Sequence, residues 1–307
     1  MKQYQNTKGS VILCTAALLW GLAFVAQSEA ADRIPPFLFN SLRSVIGAVF
    51  LFAVLILRKL ILKKPMFAKD VTGLRRLLLS GFLCGLLLTV SLSFQQFGLS
   101  VYPEGVAVEA RAGFLTALYV LLVPLFTLLS GKKLSPPILI AIGLATAGIY
   151  LLCLSEGLHN VYLGDILVFL CAFSFTFHIL AVSHYADVDG IALSMMQFAT
   201  CAILSAILAL FGPAVEVSAL VDSIPNILYL GIVSSGIAYT MQIVGQKYAE
   251  PTVASLSMSL ESVFAALGGW LILNNTLSAR EFFGCALVFI AILLAQLPPL
   301  SKEKNKK

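Results

Sequence analysis

Residues 105–126 read GVAVEARAGFLTALYVLLVPLF, and they set the terms for the whole chain. About 20 predominantly apolar residues suffice for a helix to cross the hydrocarbon core of a bilayer, and this stretch meets that length. Yet it carries Glu109 and Arg111 near its start and Pro124 near its end. An ionised side chain inside a membrane is costly and turns toward protein or a water-filled path. The stretch therefore reads as a spanning helix with one face turned to other helices.

The rest of the chain repeats the pattern. Hydrophobic residues make up 59% of the 307 and charged residues 11%, far below the roughly 25% charged of a soluble domain. Ten apolar runs follow one another at about 9–28, 36–57, 75–97, 105–129, 136–154, 163–184, 190–211, 225–246, 252–273 and 280–298, each long enough to span. The connections, roughly 5 to 15 residues, leave no room for a soluble domain. Because the runs are continuous rather than alternating, a transmembrane β-barrel is excluded. The expected class is an all-α polytopic membrane protein of ten transmembrane helices. The first run, with Lys2 and Lys8 before it and Ser28-Glu29-Ala30 after, loosely mimics a signal peptide. Its length and the nine runs that follow favour an uncleaved first helix.

Charge placement gives the orientation. With the N-terminus inside, the inner edges collect Lys2, Lys8, the segment RKLILKKPMFAKDVTGLRR (58–76), Lys132, Lys133, Lys247 and the tail SKEKNKK, whereas the outer edges hold only Arg33 and Arg280. This asymmetry predicts an N-in, C-in topology in the inner (plasma) membrane, with both termini cytoplasmic. The same reading accounts for the net charge of +5 without any nucleic-acid partner. Six cysteines fall inside the runs with no C-x-x-C pair, so neither disulfide nor metal is expected, nor any cofactor.

Two halves emerge when the chain is shifted by about 155 positions. KGSVILCTAALLWGLAF then faces YLGDILVFLCAFSFTFH, and Tyr102-Pro103-Glu104 faces Tyr248-Ala249-Glu250 after gaps. Five helices per half is an odd number, so the halves enter the membrane from opposite sides, which is an inverted repeat. The expected units are residues 9–154, residues 155–299 and a basic tail at 300–307.

The stretches LLWGLAF (18–24), ARAGFLTALYVLLVPLF (110–126), QKYAEPTVASLSMSLESVFAALGGWLIL (246–273) and NNTLSARE (274–281) carry a resemblance. The chain resembles the EamA-type members of the drug/metabolite transporter superfamily over about residues 9–298. Two departures stand out: Ser262 where a proline usually follows the glutamate of the ninth span, and Asn274-Asn275 where a glutamate is usual near that span's end. The resemblance implies a secondary transporter, commonly an exporter of small metabolites such as amino acids. It also implies a central cavity built by spans 1, 3, 4, 6, 8 and 9, with spans 5 and 10 peripheral.

Residues two apart on a helix point in roughly opposite directions, so Glu109 and Arg111 need separate partners. Arg43 on the second span lies at similar depth, within the polar face Asn40, Arg43, Ser44 and Gly47. A Glu109–Arg43 ion pair is therefore expected, structural or coupling in role. Arg111 is left to face the pathway or reach toward Glu261 of the ninth span. A cation there suits a carboxylate substrate, and Glu261 is a candidate proton carrier. Other expected pathway residues are Trp20 and Gln27 on the first span, Gln95 on the third and Tyr119 on the fourth. His178 on the sixth, Tyr239 and Gln242 on the eighth and Ser257 on the ninth complete the set. The eighth span's polar face runs Ser235, Tyr239, Gln242, Gln246; lipid offers it no hydrogen bonds, so it must look inward. Pro124 and Gly268-Gly269 are candidate hinges.

Transport of a small molecule, with protons as a candidate coupling ion, accounts for the spans, the repeat and the buried charges together. Monomer and homodimer are both compatible with the pattern. An intramembrane enzyme lacks its chemistry: only three histidines exist, without an H-E-x-x-H, and no Walker motif is present. A sensor or partner protein without transport is the alternative, and it predicts no solute flux.

Overall fold

Long apolar runs with short polar breaks fold, as their hydropathy dictates, into helix after helix. The structure, a computed structural model, describes residues 2–31, 33–103, 108–131, 133–153, 161–272 and 278–295. Among the described residues all regular structure is helical. The first half contains α1 (Lys2–Ala31), α2 (Pro36–Leu62), α3 (Val71–Ser100), α4 (Val108–Ala117), α5 (Tyr119–Leu129) and α6 (Pro136–Cys153). The second contains α7 (Leu163–His184), α8 (Gly190–Ala209), the short α9 (Val217–Asp222) and α10 (Ile224–Tyr229), a π-helical segment (Leu230–Ala238), α11 (Tyr239–Gln246), α12 (Pro251–Met258), α13 (Leu260–Ile272) and α14 (Ala279–Ala295).

Seven described helical stretches are long and apolar enough to cross a membrane, and Pro136–Leu151 and Phe282–Ala295 form shorter apolar helices. At 1.5 Å per residue the 30 residues of α3 reach roughly 45 Å, more than a hydrocarbon core of about 30 Å. Outward-facing positions stay apolar: Val49 is 63% and Phe82 55% exposed, surface that only lipid would cover comfortably.

Local signals set the helix ends. Asp70 caps α3 by accepting from the Gly73 N–H at 2.8 Å, and Asp189 caps α8 by accepting from Ile191 and Ala192. Pro36 and Pro251 open α2 and α12, where a missing N–H costs nothing.

Two spans are broken in the middle. The run quoted at the outset divides at Leu118, where the bonding tightens to Leu121 N–H on Leu118 O at 2.9 Å. Pro124 lies inside α5, where it cannot donate to the Val120 carbonyl and its ring crowds that group, weakening the helix beyond the break. In the second half the break falls at Ser259, between α12 and α13. Here serine hydroxyls compete for backbone carbonyls: Ser255 bonds Thr252 O, Ser257 bonds Val253 O and Ser259 bonds Leu256 O.

Packing interleaves the halves. α2 lies along α8, α3 wedges between α7 and α8, α1 crosses α11, α12 and α13, and α6 pairs with α14. The α1–α13 approach depends on Gly21, where an added Cβ would sit 2.5 Å from Phe264 Cβ, 2.7 Å from Ala265 N and 2.8 Å from Glu261 O. At one rim, Arg58 pairs with Asp189 and Arg76 with Asp187, each at 2.7 Å, tying the α2–α3 connection to the α7–α8 turn. The Arg76 hydrogen bond holds the Asp187 carboxyl below the usual aspartate range.

Candidate functional site

Polar side chains on eight helical elements turn toward one interior cavity. α1 supplies Trp20, Phe24 and Gln27, whose i, i+4, i+7 spacing places them on one face. From α2 comes Arg43, from α3 Leu92 and Gln95, and from the two sides of the first break Thr116 and Tyr119. The second half adds Phe175 and Ile179 of α7, Ser234 of the π-helical segment, Tyr239 and Gln242 of α11, and Met258 and Glu261 from either side of the second break. The cavity holds about 40 Å³ of space open to the centre of a water molecule. One water needs roughly 10–15 Å³ on that measure, so a few waters fit and a larger solute requires the walls to part.

The two breaks meet in this wall. Tyr119 is the first residue after one break and Glu261 lies just beyond the other, and the Tyr119 hydroxyl donates to Glu261 Oε1 at 2.9 Å. Both are buried, at 4% and 5% exposure, so the bond is shielded from competing solvent. Nearby, the Ser262 hydroxyl donates to Gly113 O at 3.3 Å, a second link between the broken spans. Gln95 donates weakly to Thr116 at 3.4 Å.

Arg43 holds a neutral partner that its depth did not suggest. Its Nη1 donates to Gln27 Oε1 at 3.0 Å, and its Nε and Nη2 have no hydrogen-bond partner among the described residues. The expected Glu109–Arg43 pair falls on the Glu109 side chain, which lies outside the described residues, as do the side chain of Arg111 and Gly268 and Gly269 beyond their helical backbone. Gln27 is held in turn by Gln96 Nε2, which donates to its backbone carbonyl at 3.3 Å. Two further wall atoms lack partners among the described residues: Trp20 Nε1 and Gln242 Oε1. The Trp20 and Tyr239 rings meet edge-on at 4.7 Å.

Of the expected pathway residues, Trp20, Gln27, Gln95, Tyr119, Tyr239, Gln242 and Glu261 line the cavity together, joined by Arg43. His178 and Ser257 are not among the lining residues. His178 is fully buried and bonds Gln197 at 3.0 Å between α7 and α8, while the Ser257 hydroxyl is spent on Val253 O. The expected Ser235 face is corrected by one position. In the π-helical segment the Tyr239 N–H reaches Ser234 O, five residues back, so Ser234 shares the cavity face with Tyr239. Ser235 instead packs against Gly47 of α2. Sequence reasoning missed Thr116, a short hydroxyl that a helix can bond to itself, and Leu92, Phe175, Ile179 and Met258; nothing in an apolar side chain's identity separates a cavity wall from a lipid face.

Comparison with known proteins follows from this geometry. The EamA-like transporter family matches residues 7–154 and again 162–297. The chain is 29% identical over 288 residues to an uncharacterized transporter of Archaeoglobus fulgidus, covering 93% of this chain and 84% of the relative. It is 22% identical to the uncharacterized transporter YoaV of Bacillus subtilis over 291 residues, 92% and 94% of the two chains. A crystal structure described only as that of a protein superposes with a TM-score of 0.74 at 22% identity, covering 94% of this chain and 98% of that one. At such identity the likeness concerns the fold.

Proposed function

The chain belongs to the EamA-like transporter family, and on that premise we propose that it is a secondary transporter of small organic solutes, an exporter of amino acids or close relatives. It is a membrane protein and not an enzyme. In this reading ten spans form two inverted five-helix units, residues 9–154 and 155–299, with both termini cytoplasmic and the chain in the inner (plasma) membrane. The arginine-rich rim at Arg58 and Arg76 then faces the cytoplasm.

One observation carries the reading: a cavity shared by both halves holds a guanidinium and a carboxylate that do not pair with each other. Structural ion pairs would neutralise one another; these two are each held by a neutral partner and remain turned to the cavity. A solute bearing both signs of charge meets complementary groups there, with the aromatic wall of Trp20, Phe24 and Phe175 covering its apolar part. The two interrupted spans supply the moving parts. Discontinuous helices at the interface of inverted repeats are where many transporters bind and rock. Parting α4 from α5 and α12 from α13 at Leu118 and Ser259 opens the cavity to one side without unpacking α2 from α8.

Glu261 is the proposed coupling residue: a carboxylate bonded, among the described residues, through the Tyr119 hydroxyl can exchange that bond for a proton. The test is release from proteoliposomes loaded with a labelled pool of amino acids and small metabolites, with and without an imposed proton gradient. Protein-dependent release of one solute class, accelerated by the gradient and lost in Glu261→Gln, is expected. No release across the pool would overturn the transporter reading. Release indifferent to the gradient would overturn the proton coupling alone.

A further inference from the structure

Resting on that transporter reading, we propose that Arg43 is the carboxylate-binding residue of the cavity, its guanidinium presented side-on to the substrate. Arg43 is 2% exposed, and no carboxylate lies within ion-pair distance of it among the described residues. A buried cation without an anionic partner is strongly disfavoured, so a site that keeps one is built to receive its counter-charge from a ligand.

The donors point to the shape of that ligand. Gln27 takes the Nη1 end, leaving Nε and Nη2 unspent. These two donors lie on the same edge of the planar guanidinium and run parallel, the fork that matches the two oxygens of a carboxylate. The Gln27 side-chain oxygen holds the Nη1 end from α1, so the free edge is turned away from it, while Gln96 ties the Gln27 backbone carbonyl to α3. Across the same wall, Gln242 Oε1 is an unspent acceptor, suited to an N–H of the solute. The substrate class is thus a small solute with a carboxylate at one end and a nitrogen-bound hydrogen at the other.

The experiment equilibrates the full chain, purified in detergent, with an equimolar mixture of the standard L-amino acids and, separately, of their carboxamides. Retained solutes are weighed by mass spectrometry. Wild type is expected to retain acids at least about tenfold better than the matching amides, the scale of a lost charge-assisted bidentate bond. Arg43→Gln abolishes the preference and Arg43→Lys, a point charge without the fork, weakens it. Gln27→Glu is the safeguard against misfolding. It keeps Arg43 and supplies an internal carboxylate at the same place, so it should melt no lower than wild type yet lose the acid preference. Equal retention of acids and amides by wild type, or a preference that survives Arg43→Gln or Gln27→Glu, overturns the assignment. If wild type moves solutes in proteoliposomes without regard to their carboxylate, Arg43's role falls while the transporter reading stands. If it neither retains nor moves any of them, both fall together.

Discussion

Replacing Gly21 by alanine puts the α1–α13 contact to a quantitative test. The new Cβ would lie 2.5 Å from Phe264 Cβ, 2.7 Å from Ala265 N and 2.8 Å from Glu261 O. Unstrained contacts of this kind sit at about 3.5–4.0 Å, so the helices must separate by roughly 1 Å. No rotamer change relieves the clash, because all three atoms are backbone or fixed rigidly to it. Overpacking typically costs about 1–3 kcal/mol, and a rigid neighbour places this site near the upper end. Alanine's advantage over glycine within a helix returns about 1 kcal/mol, leaving a net loss of about 2. Gly143 of α6 provides the opposite case: nothing lies within 4 Å of its Cβ position, so Gly143→Ala should gain up to about 1 kcal/mol. Thermal unfolding of both variants in the same detergent gives the comparison. The displaced helix α13 carries Glu261 of the cavity wall, so Gly21→Ala should also slow flux. A Gly21→Ala protein as stable as wild type would refute the close-approach argument.

Three other outcomes follow from the geometry. Tyr119→Phe and Glu261→Gln should each destabilise, and their double-mutant cycle should show a coupling of about 1–3 kcal/mol in unfolding experiments; simple additivity would mean the bond contributes nothing. Ser234→Ala should alter flux or substrate affinity severalfold while Ser235→Ala leaves both unchanged, and the reverse result would remove the π-helical register shift. Because its folded-state pKa is depressed, Asp187 stabilises the protein above the ordinary aspartate value near 4, and this contribution is lost as the pH falls through the lowered value. Asp187→Asn should therefore matter at neutral pH and low salt, and melting curves of variant and wild type should converge in acid and in high salt.

How much of this was legible in the sequence differs from residue to residue. Run length alone yields the membrane class, because the bilayer imposes one dimension on every span. The α1 face of Trp20 and Gln27 also follows from helical spacing. The expected Glu109–Arg43 pair falls on a side chain outside the described residues, and the partner that Arg43 does hold, Gln27, was not foreseen: depth is read along the helix, whereas lateral position depends on which helices are neighbours. Gln27, on an adjacent span, is closer than any periodicity announces. Ser235 was preferred over Ser234 because an α-helical period was assumed across a segment that adopts i→i+5 bonding. His178 was drawn toward the pathway by its polarity, yet its Nε2 bonds Gln197 on α8 inside the protein and the side chain does not line the cavity. Pro124 was read as a weak point, yet the first break falls at Leu118, and the matching break at Ser259 has no proline and shows only as a cluster of serines.

The interleaving of the halves also bears on how such a chain is made. Ser41 of α2 finds its partner at Ala202 and Ser44 at Cys201, separations of 161 and 157 residues. At about 5–20 residues per second, a ribosome needs roughly 10–30 s to deliver α8 after α2 has been synthesised. Throughout that interval the α2 face bearing Asn40, Ser41, Arg43 and Ser44, all buried in the finished protein, has no second half to receive it. The nascent first half is thus a poor candidate for release into lipid, and its retention at the insertion machinery until α8 arrives becomes a step in biogenesis. Separately expressed halves would have to find each other by diffusion in the membrane before either could hide its polar seam.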